Sequence, residues 1–218
     1  MEDFDFSITY QFSDYLAWAN ELHEPGDFVN EVSFAVNIVD DEGNHIEEAA
    51  RGLVSQILFG LAMDSGYPLY QVMDATSSLL EMSEIVFDWE EGSDPWAKID
   101  QYYNEPLIEY NVCFLERIEI LPMYRKLGLT KRILRNLNTR FYNACGLWVL
   151  KAFPLQHDSI IRSDTNQWTE NMQYDRMETD IEKSQYKLYH LYQSLGFVNP
   201  FDQRYFIARS FDLIHKLK

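Results

Sequence analysis

The sequence predicts an α/β (α+β) fold, and three observations carry that expectation. Two alternating apolar segments, "EYNVCFLERIEIL" and "GLWVLKAFP", flank a segment with helical periodicity, the strand–helix–strand order of a βαβ unit. Upstream, two β-branched-rich segments are joined by the turn signal "DDEGN" and read as a hairpin. Downstream, "SQYKLYHLYQSLGF" and "RYFIARSF" supply a last helix and a last strand. A length of 218 residues suits one domain spanning 1–218.

Taken in order, "SDYLAWANELHE" reads as a short amphipathic helix capped by Ser13 or Asp14. "EVSFAVNIV" alternates as a strand, and "HIEEAARGLVSQILFG" resumes as its partner, although its first half also fits a helix. Apolar residues at helical spacing (Leu69, Val72, Met73, Leu79, Leu80, Ile85) predict one long helix from about Pro68 to Phe87, which "WEEGSDP" terminates. In the next strand Val112, Phe114, Ile118 and Ile120 share one parity. Glu116 falls on that parity too, and Glu119 on the other. The helix that follows is expected over Leu129–Asn143, with Ile133, Leu134 and Leu137 inward and Lys131, Arg132 and Arg135 toward solvent. Pro154 ends the second strand. Residues 155–183 are polar and weakly patterned, an insertion expected to act as a lid or substrate loop. Gly196 sits where a left-handed residue closes the last helix.

Composition narrows the function. Hydrophobic residues make up 46% of the chain, enough for a globular core. The longest apolar stretch, "GLVSQILFGLAM", is too short for a bilayer, and "MEDFDFSITY" lacks the regions of a signal peptide, so a soluble, cytoplasmic protein is expected. Two cysteines without a CxxC pair argue against a disulfide framework or a thiolate zinc site, and no metal is expected; Cys113 and Cys145 read as small buried hydrophobes. A net charge of −17 repels nucleic acid and favours solubility, or a cationic partner such as a polyamine, an aminoglycoside or a lysine-bearing protein.

Within this acidic chain, six of 18 basic residues fall between Arg125 and Arg140, around "LPMYRKLGLTKRIL". A strand leads into a helix N-terminus there. Unpaired N–H groups, the helix dipole and the small Gly128 together make a seat for an anion such as a phosphate. Neither GxxxxGK[ST] nor GxGxxG occurs, which excludes the P-loop and the dinucleotide fingerprint.

"IEILPMYRKLGLTKRIL" resembles motif A of the GNAT superfamily of N-acetyltransferases, with Ile120, Pro122, Tyr124, Arg125 and Gly128 matching and Thr130 standing where Gly or Ala is usual. "LYQSLGF", Leu191 to Phe197, resembles the family's LYxxxGF. The resemblance covers about Asn111 to Phe206; the N-terminal half, 1–110, matches no subfamily. It implies a mixed, mostly antiparallel central sheet with splayed parallel strands flanked by helices, and acetyl-CoA as cosubstrate. The pantetheine would pair with backbone between Ile118 and Ile120, and the pyrophosphate would rest on the N–H groups of Lys126, Leu127, Gly128, Leu129 and Thr130, with Arg125 nearby. Gln185 corresponds to a CoA-contacting position.

Direct acetyl transfer needs a neutral amine and a proton for the leaving thiolate. Tyr192 matches the family's proton donor. Glu116 matches a glutamate six residues before the proline, and burial among apolar side chains would make it a better base; Glu119 and a relayed water are the other candidates. "QHDSI" offers His157 as a substrate-site residue but not a nucleophilic triad, because sequence neighbours rarely meet in that geometry. The expected function is therefore N-acetylation of a small cationic amine or a protein amine, with a homodimer allowed. The alternatives are a non-catalytic binding protein on the same fold and a protein lysine or N-terminal acetyltransferase.

Overall fold

The computed structural model describes residues 5–13, 24–163, 166–202 and 204–217, without the side chains of 160, 162 and 202. Strands β1 (Asp5–Ser13), β2 (Val29–Val39) and β3 (His45–Ile57) form an antiparallel meander. Four helices follow: α1 (Phe59–Asp64), α2 (Leu69–Val72), α3 (Ser77–Val86) and α4 (Ala97–Tyr103). Next come β4 (Val112–Ile120), α5 (Leu129–Phe141) and β5 (Leu147–Lys151), the βαβ unit. The insertion folds into α6 (Ser159–Ser163) and α7 (Gln167–Met172). The chain ends with α8 (Ile181–Ser194), β6 (Val198–Asp202), β7 (Tyr205–Arg209) and α9 (Ser210–Lys216). One mixed sheet holds all seven strands in the order β1-β2-β3-β4-β5-β7-β6. β4 and β5 are its parallel pair, and every other pairing is antiparallel.

Two apolar clusters sandwich the sheet. On one side the apolar stripe of α5, formed by Ile133, Leu134 and Leu137, joins Val32, Leu115 and Trp148. On the other side, α1, α3 and α4 bring Phe59, Met82 and Ile99 against Val112, Phe114 and Ile207. A buried amide ties α5 to β5 and α9: Asn138 accepts from Trp148 Nε1 at 2.9 Å and donates to the Ser210 carbonyl at 3.0 Å.

Several expectations change. The single helix over 68–87 is two, because Thr76 takes extended angles and its hydroxyl accepts from the Leu79 N–H, capping α3 afresh. Thr and Ser compete with helical bonding in this way and prefer the cap. The first half of β3 is strand, not helix. The helix expected over "SDYLAWANELHE" lies outside the described residues apart from its two ends, Ser13, which ends β1, and Glu24, which is extended before Pro25. The insertion is folded rather than an open loop, and α5 stops at Phe141.

The largest correction concerns β4. Its register against β3 runs Leu53↔Arg117 and then Val54↔Leu115, so Glu116 is the extra residue of a β-bulge. A bulge resets the alternation. Ile118 and Ile120 consequently pack with Cys113 and Leu115, on the face opposite Val112 and Phe114. Glu116 and Glu119, expected on opposite faces, share one: Glu116 accepts from Ser55 and Glu119 from Arg51, two residues of like parity on β3.

Gly52 lies opposite Ile118, and a methyl group there would overlap both the Phe34 ring and the Arg117 carbonyl oxygen. Gly52→Ala should therefore cost about 1–3 kcal/mol, the usual range for overpacking, read as a lower urea midpoint at unchanged slope.

Candidate functional site

The parallel pairing of β4 with β5 ends at Leu115↔Leu150, yet β4 continues to Ile120. β4 stays with β3 through Ala50↔Ile120, while β5 stays with β7 and the next residue, Ala152, donates to the Arg204 carbonyl at 2.7 Å. The two strands thus part, and the edge of β4 from Glu116 onward has no strand beside it on that side among the described residues. A cleft of about 560 Å³ opens there. Its walls include Ile118, Ile120, Lys126, Thr130, Leu188 and Tyr192.

At one end lies the turn into α5. Lys126 (φ 66°) and Gly128 (φ 75°) are both left-handed, and the first helical bond is Arg132 N–H to the Gly128 carbonyl at 3.2 Å. The N–H groups at the start of α5 therefore have no acceptor within the helix, which leaves them suited to an anion. Leu129 turns its side chain into the core and Leu127 is partly exposed; neither lines the cleft. Thr130 lines the cleft. Arg125 lines it too, but its guanidinium donates to the Ile120 carbonyl at 2.9 Å and the Met172 carbonyl at 3.2 Å, clamping the insertion to the end of β4. Tyr124, the motif's aromatic, is buried and donates to Glu47. Gln185 is not on the cleft wall; Ser184 and Lys187 of the same helix are.

The catalytic candidates separate. Tyr192 reaches the cleft from α8 against Phe197 and Phe206, and burial pushes its phenol up to about 12. Glu116 is half-buried at the bulge. Burial raises its carboxyl above the ordinary glutamate range, opposed in part by the Ser55 hydroxyl. Glu119 is only 1% exposed and fully engaged: Arg51 Nε donates to it at 2.7 Å and the Tyr174 hydroxyl at 2.8 Å. It latches the insertion, and Trp168 completes the latch by lying 4.6 Å from the Arg51 guanidinium. Glu119 is off the cleft wall.

A second cavity, about 500 Å³, adjoins the first and shares Glu116, Arg117, Lys151, Phe153 and Leu155 with it. His157, Asp158 and Ile161 close it from the insertion. His157 lies 3.4 Å from the Ser184 hydroxyl. The pattern of the sequence did not reveal Ser55, Arg117, Tyr174 or Ser184; each becomes relevant through the bulge or the path of the insertion. Among the described residues no three His, Cys, Asp or Glu side chains are grouped to hold a metal ion, and no helix is long and apolar enough to cross a membrane. No family model, no curated protein and no solved structure gives a significant match to the chain.

The Tyr174 hydroxyl donates to a charged, buried acceptor, a bond worth about 1.5–3 kcal/mol. Tyr174→Phe should lower unfolding stability by that amount. It should also speed amide exchange across Gln167–Met172 more than in α5.

Proposed function

We propose that the chain is an acetyl-CoA-dependent N-acyltransferase of the GNAT type. The observation that carries this is the cleft itself: a parallel strand pair that parts, with a helix N-terminus led by a left-handed glycine at one end and Tyr192 on its wall. The exposed backbone edge of β4 suits the amides of an extended pantetheine, and the start of α5, with Lys126 beside it, suits a pyrophosphate. The motif resemblance around Gly128 and Tyr192 points to the same chemistry. The two buried thiols, Cys113 and Cys145, are free and 2.8 Å apart, which suits a reducing compartment and supports a cytoplasmic site of action.

Acetyl-CoA supplies an activated thioester, whose C–S bond breaks as the new C–N bond forms. Glu116 takes one proton from the acceptor ammonium and so frees the nitrogen lone pair; this proton later leaves to solvent. Tyr192 stays protonated at neutral pH because its phenol is raised to about 12. It gives its proton to the departing sulfur and regains one from the acylated nitrogen. The balance is one amide, one thiol and one released proton.

Acetyl-CoA should raise the melting temperature of the protein, since it binds the folded state alone. Lys126→Glu should weaken that binding about tenfold by placing an anion beside the pyrophosphate. Tyr192→Phe should keep the shift and lose turnover; full turnover would remove Tyr192 from its role. No shift at millimolar acetyl-CoA would overturn the proposal.

The pH profile follows from Glu116. It works as a base only when ionised, so kcat/KM should fall as the pH drops through a carboxyl raised above the ordinary value of about 4.3. Ser55→Ala removes a bond that favours the ionised form, and should move this limb to higher pH. Glu116→Gln should lower kcat/KM roughly 10²–10⁴-fold, the usual contribution of such a base.

A further inference from the structure

We infer that the acceptor is a zwitterion, an amine that also bears a carboxylate, with its amine at Glu116 and its carboxylate on Arg117. The inference rests on the acyl-transfer reading of the cleft. In a regular strand these two neighbours would point to opposite faces of the sheet. The bulge places both on one face, where Arg117 pairs with Leu53 and Glu116 accepts from Ser55. Both side chains line the cleft and the second cavity, so an acceptor in the second cavity meets them together.

Arg117 is exposed and has no hydrogen bond or ion pair among the described residues; it attracts Glu116 through space only. The other cations of the second cavity have partners, and a second carboxylate, Glu31, acts on Glu116 through space. Glu81 engages Lys151 at 2.8 Å and lies 3.7 Å from Arg204; at the far wall Asp158 accepts from the Ile161 N–H at 3.3 Å and His157 lies 3.4 Å from the Ser184 hydroxyl. Of the cations that line the second cavity, Arg117 is the one with no hydrogen bond or ion pair among the described residues, and a planar guanidinium grips a carboxylate through two parallel bonds. Phe153, Leu155 and Ile161 supply an apolar wall for the rest of the molecule. The inference narrows the expected cationic amine to one that also carries a carboxylate.

The test compares amines that differ by one carboxylate, L-lysine against cadaverine and L-phenylalanine against phenethylamine, by thiol release from acetyl-CoA. The acid-bearing member of each pair should have a kcat/KM about tenfold or more above its partner. Arg117→Ala should erase that difference, and Arg117→Lys should restore part of it. Equal or better use of the decarboxylated amines, a preference that survives Arg117→Ala, or no turnover of either member with acetyl-CoA bound would each overturn the inference. The acetyl-CoA melting shift, measured on the same samples, tests the cofactor reading separately.

Discussion

The extra residue at Glu116 is the constraint on which the rest of the site depends. Bulges bend a strand and increase its local twist, and this one sits where β4 and β5 cease to pair. Beyond it β4 follows β3, while β5 ends at Lys151 and Pro154 follows, a residue with no N–H to give. The cleft is the space between two strands that each keep one neighbour. The same residue moves Ile118 and Ile120 under α5, turns Glu116 and Glu119 to one face, and sets Arg117 beside Glu116. Gly52 permits it, because only a residue without a side chain lets the Arg117 carbonyl and the Phe34 ring come so near.

Glu116 and Glu119 are separated by two residues yet have opposite fates. Glu119 is removed from water and compensated by Arg51 and Tyr174. A buried carboxylate is tolerable only with such partners, and losing one would leave a charge uncompensated. Its partners come from β3 and the insertion, so this pairing fixes where the insertion crosses β4; Arg125 and Met172 repeat the attachment at the next turn. Glu116 has the Ser55 hydroxyl, with burial working against ionisation. One carboxylate serves as a structural tie, and the other is the group to which we assign the proton exchange. The insertion is accordingly a fixed wall of both cavities.

Much of the fold was legible because it depends on local patterns. The hairpin followed from alternation around Gly43, α5 from Ile133, Leu134 and Leu137, and the end of α8 from Gly196, left-handed as expected at φ 98°. The bulge was not legible, since "CFLERIEI" alternates equally well with or without it; only the pairing with β3 decides. The break at Thr76 did have a signal, the run Thr76-Ser77-Ser78, but the apolar spacing across it favoured a continuous helix. Of the site, the turn at Gly128 and the cleft position of Tyr192 were reached from sequence, whereas Arg117 and Ser55 gain their places from a tertiary irregularity.

The charge pattern shows why local geometry outweighs composition. Six of the 18 basic residues cluster from Arg125 to Arg140. Lys131, Arg132, Arg135 and Arg140 in fact lie on the solvent face of α5, where Arg132 rests 5.1 Å from the Phe6 ring, and Arg125 is spent on backbone carbonyls. Lys126 alone of the six stands both exposed and on the cleft wall. Conversely, the net charge of −17 acts over distances that salt screens within about 8–10 Å. At hydrogen-bonding range the groups that a bound molecule touches outweigh that screened field. On the proposed reading, a diffuse negative field would draw an ammonium toward the protein, and Arg117 beside Glu116 would orient the acid that the same molecule carries. Attraction and orientation are supplied by different parts of the chain, and only the second is written in the bulge.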